Sequence, residues 1–147
     1  MVAIWFKPYH LQNIHAFNAG NMASHLGIVF TELGPNFLKG TMPVDHRTKQ
    51  PMGLLHGGAS VVLAETLGSV AANLVVDPLV FACVGLDVNA NYIRSVKQGL
   101  VTGTAKPLHI GSTTQVWGIE ITDELSRIVC ISRLTMAVLK LDATQRG

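Results

Sequence analysis

Between Gly57 and Val76 the chain is apolar or small at nearly every position, and a single charge, Glu65, stands in the middle. A run so long and so apolar is either a membrane span or a helix buried in a protein core. Its content favours the core. Glu65, Thr66, Ser69 and Asn73 interrupt it, and no Lys/Arg cluster flanks it. Spanning helices are flanked by such cations and hold few ionisable groups. The reading is a buried central helix over residues 56–76, stopped at Asp77-Pro78 because proline cannot continue a helix.

Beyond that helix the chain reads as strand throughout: "VFACVGLDVNANYI", "GLVTGTAKP", "TQVWGIEIT" and "RIVCISRLTMAVLKL". Trp117, Ile119 and Ile121 alternate with Gly118, Glu120 and Thr122, the period of a half-buried antiparallel strand. Gly111-Ser112 and Asp123-Glu124 supply turns. Ahead of the helix, Leu11, Ile14 and Phe17 recur at helical spacing, so residues 1–25 form a helical segment that frays at Gly20-Asn21. "LGIVFTEL" and "FLKGTMPV", joined at Gly34-Pro35-Asn36, predict a hairpin, and residues 45–52 a polar loop.

The inventory is one long apolar helix with five or six strands, an α+β class. A sheet must cover its apolar face, and a helix apolar nearly all round must be buried on most sides. The economical solution is a curved antiparallel β-sheet wrapped around the central helix, in a single domain spanning 1–147. Small residues such as Ala64, Gly68, Ala71 and Ala72 let the strands come close.

Charged residues make up only 14% of the chain, against about 25% in a typical soluble domain. That is little charge for a monomer's whole surface and predicts a homo-oligomer. The net charge is +2 with scattered cations, which provides no footprint for nucleic acid. "MVAIWFKPYH" has neither a long apolar run nor a small-residue cleavage site, so no signal peptide is expected. Cys83 and Cys130 lie in apolar runs without framework spacing, as reduced, buried thiols of a cytoplasmic protein do.

A carboxylate in an apolar helix is costly unless partnered. Glu65, Ser69 and Asn73 are four apart and share a face. A solvated stripe would be rich in Lys and Glu, and this one has a single charge. The favoured reading is a polar strip facing a cleft at a subunit contact. His56-Gly57-Gly58 lies at the helix start, where backbone N–H groups are unpaired and the dipole is positive. An amide there can hold the oxyanion formed when a carbonyl is attacked. Taken alone, the same glycines also serve as a simple turn and His56 as a structural histidine. Gln50 adds a neutral amide nearby. Together the set is an inventory for acyl transfer to water.

Other chemistries find no support. There is no G-x-S-x-G elbow, no P-loop and no strand–G-x-G-x-x-G–helix unit. The six histidines make no H-x-x-x-H pair and there is no C-x-x-C, so neither a metal site nor a cofactor is expected.

"MPVDHRTKQPMGLLHGGASVVLAETLGS" resembles the hotdog-fold acyl-CoA thioesterases of the PaaI-like group. The similarity is closest to the bacterial 1,4-dihydroxy-2-naphthoyl-CoA thioesterases of menaquinone biosynthesis and their benzoyl-CoA-cleaving relatives. It extends from "MASHLGIVFTELG" through "VGLDVNANYIR" and "KPLHIG" to "SRLTMAVL". The resemblance implies Glu65 as the catalytic carboxylate, nucleophile or general base, and the Gly57 amide as oxyanion donor. His56 beside that amide, Gln50 and Ser69 would complete the catalytic set. It implies an acyl-CoA substrate, held through Gly85, Tyr92, Arg94 and Ser95 on one segment and His109, Ile110, Gly111 and Ser112 on another. It also implies a tetramer built as a dimer of dimers, with the site between two subunits. Two departures stand out. Tyr92-Ile93-Arg94-Ser95 replaces a segment that often reads histidine and then R-P in the family, and Ser112 stands where arginine is frequent. They imply one cation fewer toward the CoA phosphates.

Two alternatives use the same residues. A hotdog hydratase or dehydratase would carry histidine, a bulky residue, proline and glycine, which "LLHGG" does not. A non-catalytic acyl-CoA binding protein would bind without releasing thiol.

Overall fold

The computed structural model describes residues 1–144, so the last three positions of the expected domain lie outside the described residues. Its order is α1 (Leu11–His15), a 3-10 turn (Ala16–Asn18), α2 (Met22–His25), β1 (Val29–Leu33), β2 (Leu38–Pro43), α3 (Gly57–Val75), β3 (Phe81–Tyr92), β4 (Leu100–Ile110), β5 (Thr114–Thr122) and β6 (Ile128–Lys140). The six strands form one antiparallel sheet in the order β1-β2-β4-β5-β6-β3. α3 packs against β2 through β6. This is the wrapped-helix arrangement expected.

α3 begins where the His56 imidazole caps it: Nδ1 accepts the Gly58 N–H at 2.8 Å, replacing a partner that the first turn lacks. It ends one residue early, with Val76 already extended ahead of Pro78. Leu63, Ala64, Leu67, Ala71 and Ala72 are fully buried. Leu67 is seated on two glycines. Gly40 and Gly103 are register partners on β2 and β4. A Cβ at Gly40 would stand 2.9 Å from one Leu67 methyl, and one at Gly103 2.5 Å from the other. The missing side chains let the helix settle onto the sheet.

On β5, Trp117, Ile119 and Ile121 all point into the core, as their alternation requires. The Trp117 Nε1–H donates to Gln115 Oε1 at 2.9 Å, and Gln115 Nε2 donates to the Ala72 carbonyl of α3 at 3.4 Å. Trp5 stacks on Trp117 with ring centroids 6.4 Å apart, and its Nε1–H donates to the Gly34 carbonyl at 2.7 Å. An indole taken out of water needs such an acceptor, and fully buried Trp117 and partly buried Trp5 each have one.

The N-terminal segment departs from expectation. The single helix through Phe17 is broken into a five-residue α1 and a 3-10 turn. Only Ile14 of the spaced trio is fully buried, and Phe17 is 57% exposed. Where fraying was expected at Asn21, that residue caps a further helix, α2, by accepting from the Ala23 and Ser24 amides. An Asn side chain favours a cap over a helix interior.

α3 is buried by its own chain on one side only. Val61, Val62, Glu65, Thr66, Ser69 and Val70 are half-buried. The neighbouring strand β3 is the edge of the sheet, and its Val84 and Leu86 are 44% and 64% exposed. An exposed apolar edge strand is a template for pairing with another chain.

Candidate active site

The expected site residues fall into two groups at opposite ends of β3. The first surrounds the start of α3. Gln50, Gly57, Tyr92, Arg94 and Ser95 line one groove of about 330 Å³. The loop before the helix is folded, not slack. The Gln50 N–H donates to the Leu54 carbonyl at 2.8 Å and the His56 N–H to the Thr48 carbonyl at 2.8 Å. Gln50 Oε1 accepts the Met52 N–H, and the N–H groups of its amide have no partner among the described residues. Asp45 holds Arg47 at 2.7 Å at the base of the loop. The Arg47 hydrogen bonds bring the Asp45 carboxyl down to about 2.

At the helix start, His56 Nδ1 is occupied by the Gly58 amide. The Gly57 N–H has no acceptor among the described residues, as a first-turn amide does not. The Tyr92 ring packs on Gly57 so closely that a Cβ there would lie 2.6 Å from it. A larger residue at 57 would therefore push aside the end of the exposed Tyr92 side chain, a contact no local pattern announces.

The second group surrounds Glu65. Glu65 Oε1 lies against Gly85, where a Cβ would stand 3.0 Å away. A bulge at Leu86 interrupts the β3–β6 register there, and bulges re-aim strands beside functional groups. Ile110, Gln115, Met136 and Gly85 form one row across the sheet. The His109–Ser112 turn, closed by a 2.9 Å bond from the Gly111 N–H to the Thr114 carbonyl, therefore belongs to the Glu65 end.

The polar strip on α3 is not one continuous site. The Ser69 hydroxyl donates to Met136 Sδ at 3.8 Å, not to Glu65. Asn73 is a latch: its Nδ2 donates to the Ser69 and Cys83 carbonyls at 2.9 and 3.1 Å, and its Oδ1 accepts the Cys83 N–H at 2.9 Å. It completes the pairing of β3 and fastens the helix to the strand. Spacing by four could not distinguish this role from a cleft-facing one, because it depends on where β3 returns.

Among the described residues no three His, Cys, Asp or Glu side chains gather to hold a metal. Burial pushes the Cys83 thiol up to about 11 and raises Cys130 as well. Neither is a thiolate nucleophile at neutral pH. The arrangement is thus a carboxylate in an apolar setting, an open helix-start amide and a polar groove, the parts of an acyl-transfer site.

Known proteins agree. A family model described as the thioesterase superfamily matches residues 52–130. The chain is 54% identical over 136 residues to 1,4-dihydroxy-2-naphthoyl-CoA hydrolase of Escherichia coli K12, covering 92% of this chain and 99% of that one. It is 50% identical over 137 residues to the proofreading thioesterase EntH of Cronobacter sakazakii, covering 92% and 98%. The structure superposes on a mutant thioesterase from Pseudomonas aeruginosa with a TM-score of 0.93 at 46% identity, covering 95% of this chain and all of that one. With the hotdog architecture, the acyl-transfer groups and these likenesses together, the chain belongs to the thioesterase superfamily and is a thioester hydrolase.

Proposed function

We propose that the protein hydrolyses aromatic acyl-CoA thioesters to the free acid and CoA, with 1,4-dihydroxy-2-naphthoyl-CoA as a leading candidate and menaquinone biosynthesis as its setting in the cytoplasm. Glu65 attacks the thioester carbonyl, or takes the proton from the attacking water, while the Gly57 N–H of a second copy holds the oxyanion. In the first route the carboxylate displaces CoA thiolate to form an anhydride, which water opens. In the second, water attacks directly and CoA leaves from the tetrahedral intermediate. Both need the carboxylate ionised and close.

One observation carries this reading. Gly57 and Glu65 are eight residues apart on one helix, about 12 Å along its axis. A reacting carbonyl must lie about 3 Å from both groups, so one chain cannot supply the pair. β3 offers the solution. Gly85, beside Glu65, and Tyr92, beside Gly57, are seven residues apart on this edge strand, about 23 Å. Two edges paired antiparallel about a two-fold axis would bring the Glu65 end of one copy level with the Gly57 end of the other. The same contact covers Val84, Leu86 and the half-buried face of α3. Two such dimers would form the expected tetramer. Arg94 lies in the Gly57 groove, and its guanidinium there supports a role in meeting a CoA phosphate.

The test is thiol release from dihydroxynaphthoyl-, benzoyl-, phenylacetyl- and straight-chain acyl-CoAs by the wild type and Glu65→Gln. The expected result is fast release from the aromatic esters and a loss of about 1,000-fold or more in the mutant, as for removal of a nucleophile. Full activity in Glu65→Gln would sink its role. No release from any ester would point to a binding protein instead.

A further inference from the structure

We infer that Thr48, which does not line the groove, is a positioning residue for the reaction: its buried side chain holds the loop that aims the Gly57 amide and carries Gln50. The inference rests on the reading of that amide as the oxyanion donor and adds what fixes its direction.

Among residues 45–56, which lead from β2 toward α3, Thr48 alone is buried, with 1% of its surface exposed. A hydroxyl taken out of water needs partners, and this one has two. Oγ1 donates to the Pro43 carbonyl at the end of β2 at 2.7 Å and accepts the Asp45 N–H at 3.1 Å. The sheet fixes that end of β2. Pro43 faces Leu100 of β4, and the Val44 N–H donates to the Gly99 carbonyl at 2.8 Å. The branched Cβ of threonine leaves χ1 little freedom, so the hydroxyl ties the loop to the sheet in one orientation.

The backbone of the same residue reaches the helix. The Thr48 carbonyl accepts the His56 N–H at 2.8 Å. Further into the loop, Lys49 bridges to Leu55, and the Gln50 N–H donates to the Leu54 carbonyl at 2.8 Å. Thr48 and His56 therefore close a small ring of chain, and Gln50 rides on it.

His56 converts that hold into a direction. Its N–H is fixed by Thr48, its carbonyl accepts the Ala59 N–H at 3.0 Å, and its Nδ1 accepts the Gly58 N–H at 2.8 Å. The peptide plane that contains the His56 carbonyl also contains the Gly57 N–H, and that plane is rigid. Holding His56 therefore aims the Gly57 amide. The path from the sheet to this amide runs through Pro43, Thr48 and His56, and its first link is the Thr48 hydroxyl.

The test uses the full chain, the ester that the wild type cleaves fastest, and the variants Thr48→Val, Thr48→Ser and Thr48→Cys. Valine keeps the shape and removes the hydroxyl. A shift of the amide by about half an ångström corresponds to about 10-fold in rate. The kcat of Thr48→Val should fall by about that factor while KM stays within about 2-fold. Serine keeps the hydroxyl and should return kcat to within about 3-fold of the wild type. Amide NMR of protein carrying isotopically labelled glycine gives a readout independent of turnover. The Gly57 and Gly58 resonances should move in Thr48→Val and return in Thr48→Ser. A lower melting temperature with kcat, KM and both resonances unchanged would overturn the inference and leave the oxyanion reading intact. Resonances that move while kcat holds would overturn both, as would a wild type that releases no thiol from any ester. A rise in KM alone, a fall in kcat that serine does not restore, or a fall that leaves both resonances in place would each overturn the role of Thr48. If Thr48→Val does not fold, Thr48→Cys, a weak donor of similar size, carries the same test with an expected fall of about 3-fold in kcat.

Discussion

Replacing Gly85 by alanine tests the placement of Glu65 without touching the carboxylate. The new methyl carbon would stand 3.0 Å from Glu65 Oε1, so the carboxylate must give by a few tenths of an ångström. A displacement of 1 Å costs about 100-fold in rate where geometry is tight. A quarter to half of that displacement corresponds to about 3- to 10-fold. The fall belongs to kcat, because the misplaced group acts on the reacting carbonyl, and KM for the CoA ester should hold. Stability should move the other way. Gly85 is on an exposed edge strand and is not among the glycines with positive φ. Alanine there loses less backbone freedom on folding, worth about 0.4–1 kcal/mol. Thiol release at saturating ester, with thermal unfolding of the same preparation, reads both quantities. The expected variant is slower and at least as stable. An unchanged kcat would refute the placement of Glu65 at the reacting centre. A rise in KM alone would show that Gly85 serves the ligand and not the carboxylate.

Two further predictions concern the fold. Gly103→Ala drives a methyl toward a Leu67 side chain already confined by Gly40 on its other side, and overpacking of this kind costs about 1–3 kcal/mol. The melting temperature should drop by about 2–4 °C per kcal/mol, and an unchanged value would mean the helix is not seated as described. Asp45 titrates at about 2 in the folded chain against an ordinary 3.8. Its folded value is lowered, so its contribution is present above the ordinary value and lost as pH falls toward 2. Urea midpoints measured between pH 5 and 2 should fall less steeply in Asp45→Asn than in the wild type, and parallel curves would dismiss the Asp45–Arg47 pair as a stabilising element.

Read alone, the sequence determined the elements and the chemistry on offer. Helix and strand periods are local. A lone Glu65 within a helix of small and apolar residues marks that helix as buried, and the alternation about Trp117 orients β5 correctly. The "HGG" stretch marks an open helix start because unpaired amides are a property of any helix terminus. Tertiary structure decided what those residues meet. The sequence does not show that β3 leaves α3 to pair with β6 at the far edge, and the surprises in the candidate site stem from that crossing. It sets Gly85 against Glu65, lays Tyr92 over Gly57, and turns Asn73 from a cleft residue into a latch on Cys83. The same holds for Leu67 between Gly40 and Gly103, and for Trp5 stacked on Trp117. These contacts join residues far apart in the chain. Their energies come from packing and from pairing buried polar groups, and neither leaves a periodic trace in the residues themselves.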